Sequence, residues 1–298
     1  MLEICPICGS NKLNDIFSCK DYFVSGETFQ LVDCEKCGMR ITADFPVESE
    51  IGKYYEATDY ISHSDTKKGI VNSVYHYVRQ FMLKKKVRWV EKSSRLKSGA
   101  ILDVGTGTGY FANTMKERNW QVSTVEQSEK ARDFAEKNFG LIGVASISEY
   151  VEQSNEKPDV ITLWHVLEHI ENLNETMADF QKLLKPNGTL IIAVPNCNSY
   201  DARKYKNLWA AYDVPRHLWH FRAEQMTILA NKHGFKITEI KPMPFDAFYI
   251  SMMSENYAKR SFAFFRGMWA GIAGFFASLF DKKMSSSLVY VLKKQNAD

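Results

Sequence analysis

Ala100-Ile101-Leu102-Asp103-Val104-Gly105-Thr106-Gly107-Thr108-Gly109-Tyr110-Phe111 decides the fold. The apolar run closing on Asp-Val predicts a buried strand. Three glycines at alternate positions predict a tight turn, and a helix follows from Tyr110 to about Arg118. Glycine has no Cβ and adopts positive φ readily, as such a turn requires. It also lets a ligand approach the backbone while the next helix points its free amides outward. The spacing is G-x-G-x-G. It departs from the G-x-G-x-x-G dinucleotide fingerprint because Tyr110 takes the last glycine's place.

Working outward, Trp120–Val125 reads as a second strand ending at Glu126, with Gln127 and Ser128 opening another helix. An acid there, about 20 residues past the glycines, is placed to accept hydrogen bonds from ribose hydroxyls. LDVGTGTG followed by this acid resembles the first motif of the class I S-adenosylmethionine-dependent methyltransferases. The resemblance implies an α/β, doubly wound, Rossmann-like sheet of seven strands, parallel except for one antiparallel strand. It implies S-adenosylmethionine held by Asp103, Gly105, Thr106, Gly107, Gly109, Tyr110, Glu126 and Gln127. A third strand is expected at Gly143–Ile147. In the family the loop after it cradles the adenine, here Ser146 and Ile147, with Glu149 as the nearby acid.

A fourth strand, Asp159–Trp164, runs into His165-Val166-Leu167-Glu168-His169-Ile170. Ligands of open α/β sheets bind at the carboxyl ends of strands, so His165 is placed where methyl donor and acceptor meet. DVITLWHVLEHI resembles the fourth-strand motif of a subgroup that includes quinone and small-molecule O-methyltransferases. H-x-x-E-H also spells the inverted zinc-protease motif, which needs both histidines on one continuous helix and is set aside here. By resemblance to a Glu-Glu-His set in some quinone O-methyltransferases, His165, Glu168 and His169 could hold a divalent ion. The simpler reading is that Glu168 and His169 order the loop by hydrogen bonding.

L-K-P-N-G-T-L leads into the fifth strand. Asn207–Phe221 is then dense in aromatics and carries Arg216, His217 and His220. An aromatic floor with a few polar groups suits a small-molecule pocket. Three buried polar heads would need partners, so one of them is expected in the acceptor site. The candidates for catalytic base are His165, His217 and His220.

Residues 1–45 form a cysteine module. Cys5-Pro6-Ile7-Cys8-Gly9 and Cys34-Glu35-Lys36-Cys37-Gly38 are matching knuckles, 25 residues apart. Two C-x-x-C turns offer four thiolates to one centre, the closed structural zinc pattern of a zinc ribbon. Cys19 and Cys197 read as small hydrophobes. Residues 46–98 are expected to link and cap. Tyr60 and His63 line the site by resemblance, and a helix over Val71–Lys92 has an apolar side (Val74, Tyr77, Val78, Phe81, Met82). Its basic side, with Arg79 and Lys84–Lys86, reads as solvated. Residues 99–298 make the cofactor-binding domain. Helix Ala223–His233 and strands Phe235–Ile240 and Ser287–Lys293 complete it, around an apolar insertion at about 245–285. Within that insertion 262–280 is expected to cap the sheet, with peripheral membrane contact as the alternative.

With 38 basic and 35 acidic residues the net charge is only +3, which argues against nucleic acid as partner, since that affinity rests on phosphate neutralisation. No basic-then-apolar leader follows Met1, so a cytoplasmic, reducing location is expected. The function expected is methyl transfer to a small molecule. Similar two-part proteins point to a sugar, polysaccharide or secondary-metabolite precursor. The alternatives are an RNA methyltransferase gripping its strand with the ribbon and basic helix, or a non-catalytic ribbon protein.

Overall fold

The computed structural model describes residues 3–55, 70–154 and 156–295; Tyr60 and His63 lie outside them. The N-terminal strands are β1 (Leu13–Lys20), β2 (Thr28–Cys34) and β3 (Arg40–Thr42), followed by helices α1 (Glu48–Ile51) and α2 (Ile70–Ser94). The main domain then alternates β4 (Ala100–Val104), α3 (Tyr110–Lys116), β5 (Gln121–Val125), α4 (Glu129–Phe139), α5 (Ile147–Gln153), β6 (Val160–Trp164), α6 (Leu173–Leu183) and β7 (Thr189–Pro195). It continues with α7 (Tyr200–Tyr205), β8 (Trp219–His220), α8 (Ala223–Lys232), β9 (Phe235–Pro242), α9 (Asp246–Tyr257), α10 (Ala263–Phe280) and β10 (Ser287–Lys294).

The large sheet has the order β5-β4-β6-β7-β10-β9. β5, β4, β6 and β7 pair in parallel, whereas β10 runs antiparallel to both β7 and β9. The mostly parallel Rossmann-like sheet with one reversed strand is therefore present. Among the described residues it has six strands, not seven. The expected third strand shrinks to one parallel bridge, Val125 to Val144. Two local features stop it. Gly143 lies so close to Thr124 that a Cβ would stand 2.5 Å from Oγ1. Two residues past Val144, the Ser146 hydroxyl accepts the Glu149 amide at 3.1 Å and caps α5.

The cysteine module is not a separate body. Its sheet has the order β1-β2-β3-β8, and β8 comes from the segment after β7. Cys5, Ile7 and Met39 share one hydrophobic core with Leu167, Trp219, Phe221 and Met226. A segment of about 45 residues buries too little surface to stand alone, and here it borrows a core from the larger domain.

Two expectations about helices change. Along α2 the buried residues are Leu83, Val87, Trp89 and Val90, while Tyr77 and Phe81 are exposed. The insertion folds as a hairpin of α9 and α10, and α10 packs on α9 and α7. It therefore covers the segment after β7 more than the sheet itself. Gly267 and Gly271 permit this approach, since a Cβ on either would strike Met252 or Phe248 of α9 within 3 Å.

Candidate active site

The carboxyl edge of β4, β5 and β6 gathers the polar groups. Asp103 is buried at the end of β4, its Oδ1 accepting from Thr162 Oγ1 at 2.6 Å and its Oδ2 from Thr106 Oγ1 at 2.8 Å. Burial lifts its carboxyl to about 6 against those two bonds. Gly105, Gly107 and Gly109 all have left-handed φ, at 67°, 55° and 81°. They differ in surroundings: a Cβ on Gly105 would collide with Val166, whereas Gly107 has open space. The turn thus presents bare backbone on one side. Glu126 completes it, its Oε2 accepting the Gly107 amide at 2.8 Å and its Oε1 the Ser128 amide at 2.9 Å.

The remaining residues of the expected cofactor set are placed less uniformly. Gln127 is exposed beside Glu126. Ser146 and Ile147 stand next to the β5 tip through the Val144 bridge, while Glu149 turns away to accept the Ala145 amide at 2.8 Å. The Tyr110 ring leaves the turn and packs against Phe134 and Phe139, with the Arg79 guanidinium 4.1 Å above it.

His165 follows β6 with φ 60°, a left-handed conformation, and its amide donates to Ala193 at 2.9 Å. Non-glycine residues seldom sit there, and such strain clusters at functional sites. Its Nε2 lies 3.2 Å from Asp246 Oδ2 and its Nδ1 3.5 Å from Glu168 Oε1. The side chain keeps 34% of its surface in solvent. Burial works against a charge here, but the two carboxylates overcome it and hold the imidazolium up to about 9. Asp246 opens α9 and was not singled out from the sequence. The available signal was its isolation, as it is the lone acid between Glu239 and Glu255.

A second unexpected group faces the same edge. Lys86 of α2 is half-buried over the Trp164 ring, 4.5 Å from its centroid. Burial pushes its ammonium down to about 8, although Asp103 and Asp246 pull the other way. It belongs to the basic side that was read as solvated. It nonetheless shares a helical row with Leu83 and Val90, three and four residues away, which was the signal for its inward turn.

The three polar heads after β7 find partners, two of which, Asp21 and Thr42, lie in the cysteine module. Arg216 is fully buried; it pairs with Asp21 at 2.9 Å and Asp213 at 2.6 Å and donates to the Tyr54 carbonyl at 3.0 Å. The His220 ring sits 3.0 Å from Thr42 Oγ1 and edge-on to Tyr212; burial, then His217 and Arg40, keep it neutral. His217 donates from Nδ1 to the Ala211 carbonyl at 2.9 Å and meets the His169 ring at 4.5 Å. His220 and Arg216 are thereby consumed in joining the two parts of the chain.

Glu168 is wholly buried, and neither carboxylate oxygen has a hydrogen-bond partner among the described residues. Glu168, His169 and His217 present ligand atoms within 4.8 Å of one another, a donor set able to hold a divalent cation. His165 is not part of that group. The loop-ordering contacts are also there: His169 Nδ1 donates to the Arg216 carbonyl at 3.0 Å, and the Glu168 carbonyl accepts the Leu218 amide at 2.8 Å.

The four knuckle cysteines converge. Cys5 Sγ is 3.5 Å from Cys37 Sγ, Cys8 Sγ is 3.5 Å from Cys34 Sγ, and all four lie within 4.8 Å. Zinc bonded tetrahedrally to sulfur at about 2.3 Å sets sulfurs about 3.8 Å apart, so the cluster is compatible with the ion. Cys19 and Cys197 are buried away from it, as expected of small apolar residues.

Residues 74–240 match the family model described as a methyltransferase domain. Among curated proteins, a ubiquinone biosynthesis O-methyltransferase of Aromatoleum aromaticum is 27% identical over 130 residues, which is 42% of this chain and 55% of that one. The namesake of Thiobacillus denitrificans is 29% identical over 120 residues, 38% and 52% of the two chains. The chain thus spans about half the length of the curated relatives it matches. Among solved structures, the magnesium protoporphyrin IX methyltransferase of Synechocystis, with bound S-adenosylhomocysteine, superposes with a TM-score of 0.54 at 14% identity. That match covers 83% of this chain and 99% of the other, and it shows the shared fold.

Proposed function

This chain belongs to the methyltransferase-domain family, and from that premise we propose that it transfers a methyl group from S-adenosylmethionine to a hydroxyl of a small molecule. The reading is carried by one observation: an imidazole held in a strained conformation at the β6 tip, beside a glycine turn whose backbone is bare. Glu126 would hold the ribose hydroxyls, releasing the Gly107 and Ser128 amides it now accepts. Gly105–Gly109 would carry the amino-acid tail, and Lys86 would meet its carboxylate. Ser146 and Ile147 would flank the adenine.

Bound at this edge, the cofactor supplies an electrophilic methyl carbon on a sulfonium. The protein contributes orientation, exclusion of water and a proton acceptor. Asp246 fixes the His165 ring through Nε2. Nδ1, 3.5 Å from Glu168, lies beyond a normal hydrogen bond and remains available to an acceptor hydroxyl. A nearby sulfonium charge disfavours imidazolium and so favours the neutral ring a base requires. Nδ1 would take the hydroxyl proton, leaving the acceptor oxygen free to receive the methyl that a bound cofactor would release with cleavage of its carbon–sulfur bond, the thioether being the leaving group.

The relatives of Aromatoleum and Thiobacillus are ubiquinone biosynthesis O-methyltransferases, which favours a hydroxyl on an unsaturated ring. The sugar or polysaccharide-precursor alternative rests on the sequence resemblance alone. The test is calorimetry with S-adenosylhomocysteine, followed by labelled-methyl transfer to a panel of hydroxyl compounds. Heat of binding and a His165→Ala variant about 10²–10⁴-fold slower with unchanged cofactor affinity are expected. Absence of heat, or full turnover in the variant, refutes the reading.

A further inference from the structure

The insertion hairpin has its apolar residues inside out. On α10 the small residues Gly267, Ala270, Gly271, Gly274 and Ser278 are buried against the protein. The bulky ones face away: Phe262, Phe265, Trp269, Phe276 and Phe280 are all exposed, Trp269 at 71% and Phe280 at 92%. At 3.6 residues per turn these five fall opposite the small-residue face and form one stripe about 27 Å long. A soluble core helix has the reverse arrangement, and a contiguous apolar face of this size marks an interaction surface.

The charges around the stripe name the partner. Lys259, Arg260 and Arg266 lie at its N-terminal end and Lys282 and Lys283 at its C-terminal end, all exposed. From 256 to 283 the single acid is Asp281. Buried Glu255 answers Arg266 and Arg260 from beneath at 3.1 and 3.8 Å, and Glu224 meets Lys283 at 2.8 Å. The two lysines at the C-terminal end are balanced by Asp281 and Glu224, so the outer rim is left basic at its N-terminal end, where Lys259, Arg260 and Arg266 face Glu255 alone. A second copy packed on the stripe in parallel would set one basic end against the other, a repulsive contact.

We infer that α10 is a membrane-surface helix, lying flat on an anionic lipid bilayer with its Phe and Trp side chains in the headgroup boundary and its basic N-terminal end over lipid phosphates or carboxylates. It does not cross the bilayer. Its small face is occupied by α9, and the chain returns seven residues later as β10 between β7 and β9. Such a placement would bring the site at the β6 tip, joined to this hairpin through Asp246, close to lipid. The surface is argued from exposure and charge alone, so it stands or falls separately from the methyl-transfer reading.

The test is flotation of the whole metal-loaded protein with vesicles of phosphatidylcholine, or of phosphatidylcholine with about one-third phosphatidylglycerol. Expected are flotation with the anionic vesicles, at least about tenfold weaker binding to the neutral ones, and weakening by high salt. A triple variant Phe265→Ser, Trp269→Ser, Phe276→Ser should lose flotation while binding S-adenosylhomocysteine like the parent, and Lys259→Glu with Arg260→Glu should lose only the preference for anionic lipid. No flotation with either vesicle, equal binding to both, or a dimer in light scattering that the triple variant abolishes would each overturn the inference.

Discussion

The two halves of the site are built by opposite means. The glycine-turn half comes from one stretch, Ala100–Ser128, whose strands, turn and acid follow each other in sequence and pair locally. The other half, the segment after β7 where the acceptor is expected from the sequence, is assembled from afar. Arg216 reaches Asp21 across 195 positions and Tyr54 across 162, and Thr42 reaches His220 across 178. The lesson concerns the cysteine module. Sharing a sheet and a core with the acceptor segment, it acts as that half's outer wall and not as an appended binding module.

Stripping metal from the four cysteines should break the comparison most severely. If thiolate-bound zinc holds the knuckles, a chelator removes most of the module's folding energy. β3 then no longer supports β8, and the Arg216 charge loses Asp21. Methyl transfer is expected to fall at least about 100-fold, while S-adenosylhomocysteine still binds within a few-fold of the untreated protein. Equal loss of cofactor binding in calorimetry would show that the halves are one cooperative unit.

Asp21→Ala makes the same cut with one residue. It leaves the fully buried Arg216 with Asp213 as its single carboxylate, and breaking a buried pair costs about 3–5 kcal/mol. Denaturant unfolding should show a loss of that order. Hydrogen exchange should place the increased opening in β1–β3 and residues 209–222, leaving β4 and β5 protected. Uniform loss of protection would contradict the division.

The contrast also governs what the sequence could reveal. Gly105, Gly107, Gly109 and Glu126 were legible because a tight turn and a strand-tip acid leave a spaced local pattern, and the structure keeps them together. Tyr110 was legible as the end of the motif, but its ring follows Phe134 and Phe139, contacts no spacing encodes. His165 could be placed from the strand it ends. Asp246, which orients it, comes from a different element, so only its isolation among apolar residues marked it. Arg216 and His220 looked like ligand groups because their partners were unknown. Those partners are Asp21 and Thr42, in a module that a sequence reading treats as separate, and the Tyr54 carbonyl just beyond it. The missing seventh strand is of the same kind: Val144 is apolar enough, but the Ser146 cap draws the chain into α5 first.

On the local half, Glu126→Gln should act on cofactor affinity alone. A charged acceptor contributes about 1.5–3 kcal/mol to its hydrogen bonds, so binding should weaken by about 10–100-fold. The acceptor half touches Glu126 nowhere among its described contacts, so labelled-methyl transfer at saturating cofactor should change little. A matching fall in maximal turnover would mean that the sugar's placement also sets the geometry of transfer.

The smallest effect sharpens the comparison, because Lys86 belongs to neither half by sequence. It comes from α2 and reaches the edge where Asp103 and Asp246 meet its field. If it pairs with the cofactor's carboxylate, its charge must be present on binding. Burial lowers its pKa to about 8 in the free protein, so that charge is lost as pH rises through 8. The bound carboxylate favours the protonated amine, so binding takes up a proton above that point and affinity falls with pH. Cofactor affinity of the parent should thus decline by about tenfold per unit once pH exceeds 8, until the amine's pKa in the complex is passed. Lys86→Met should bind about tenfold more weakly at neutral pH and lose the decline. Calorimetry in two buffers of different ionisation heat reads the proton directly. If the variant weakens binding but the parent takes up no proton at pH 9, Lys86 acts by shaping the edge over Trp164 and not by its charge.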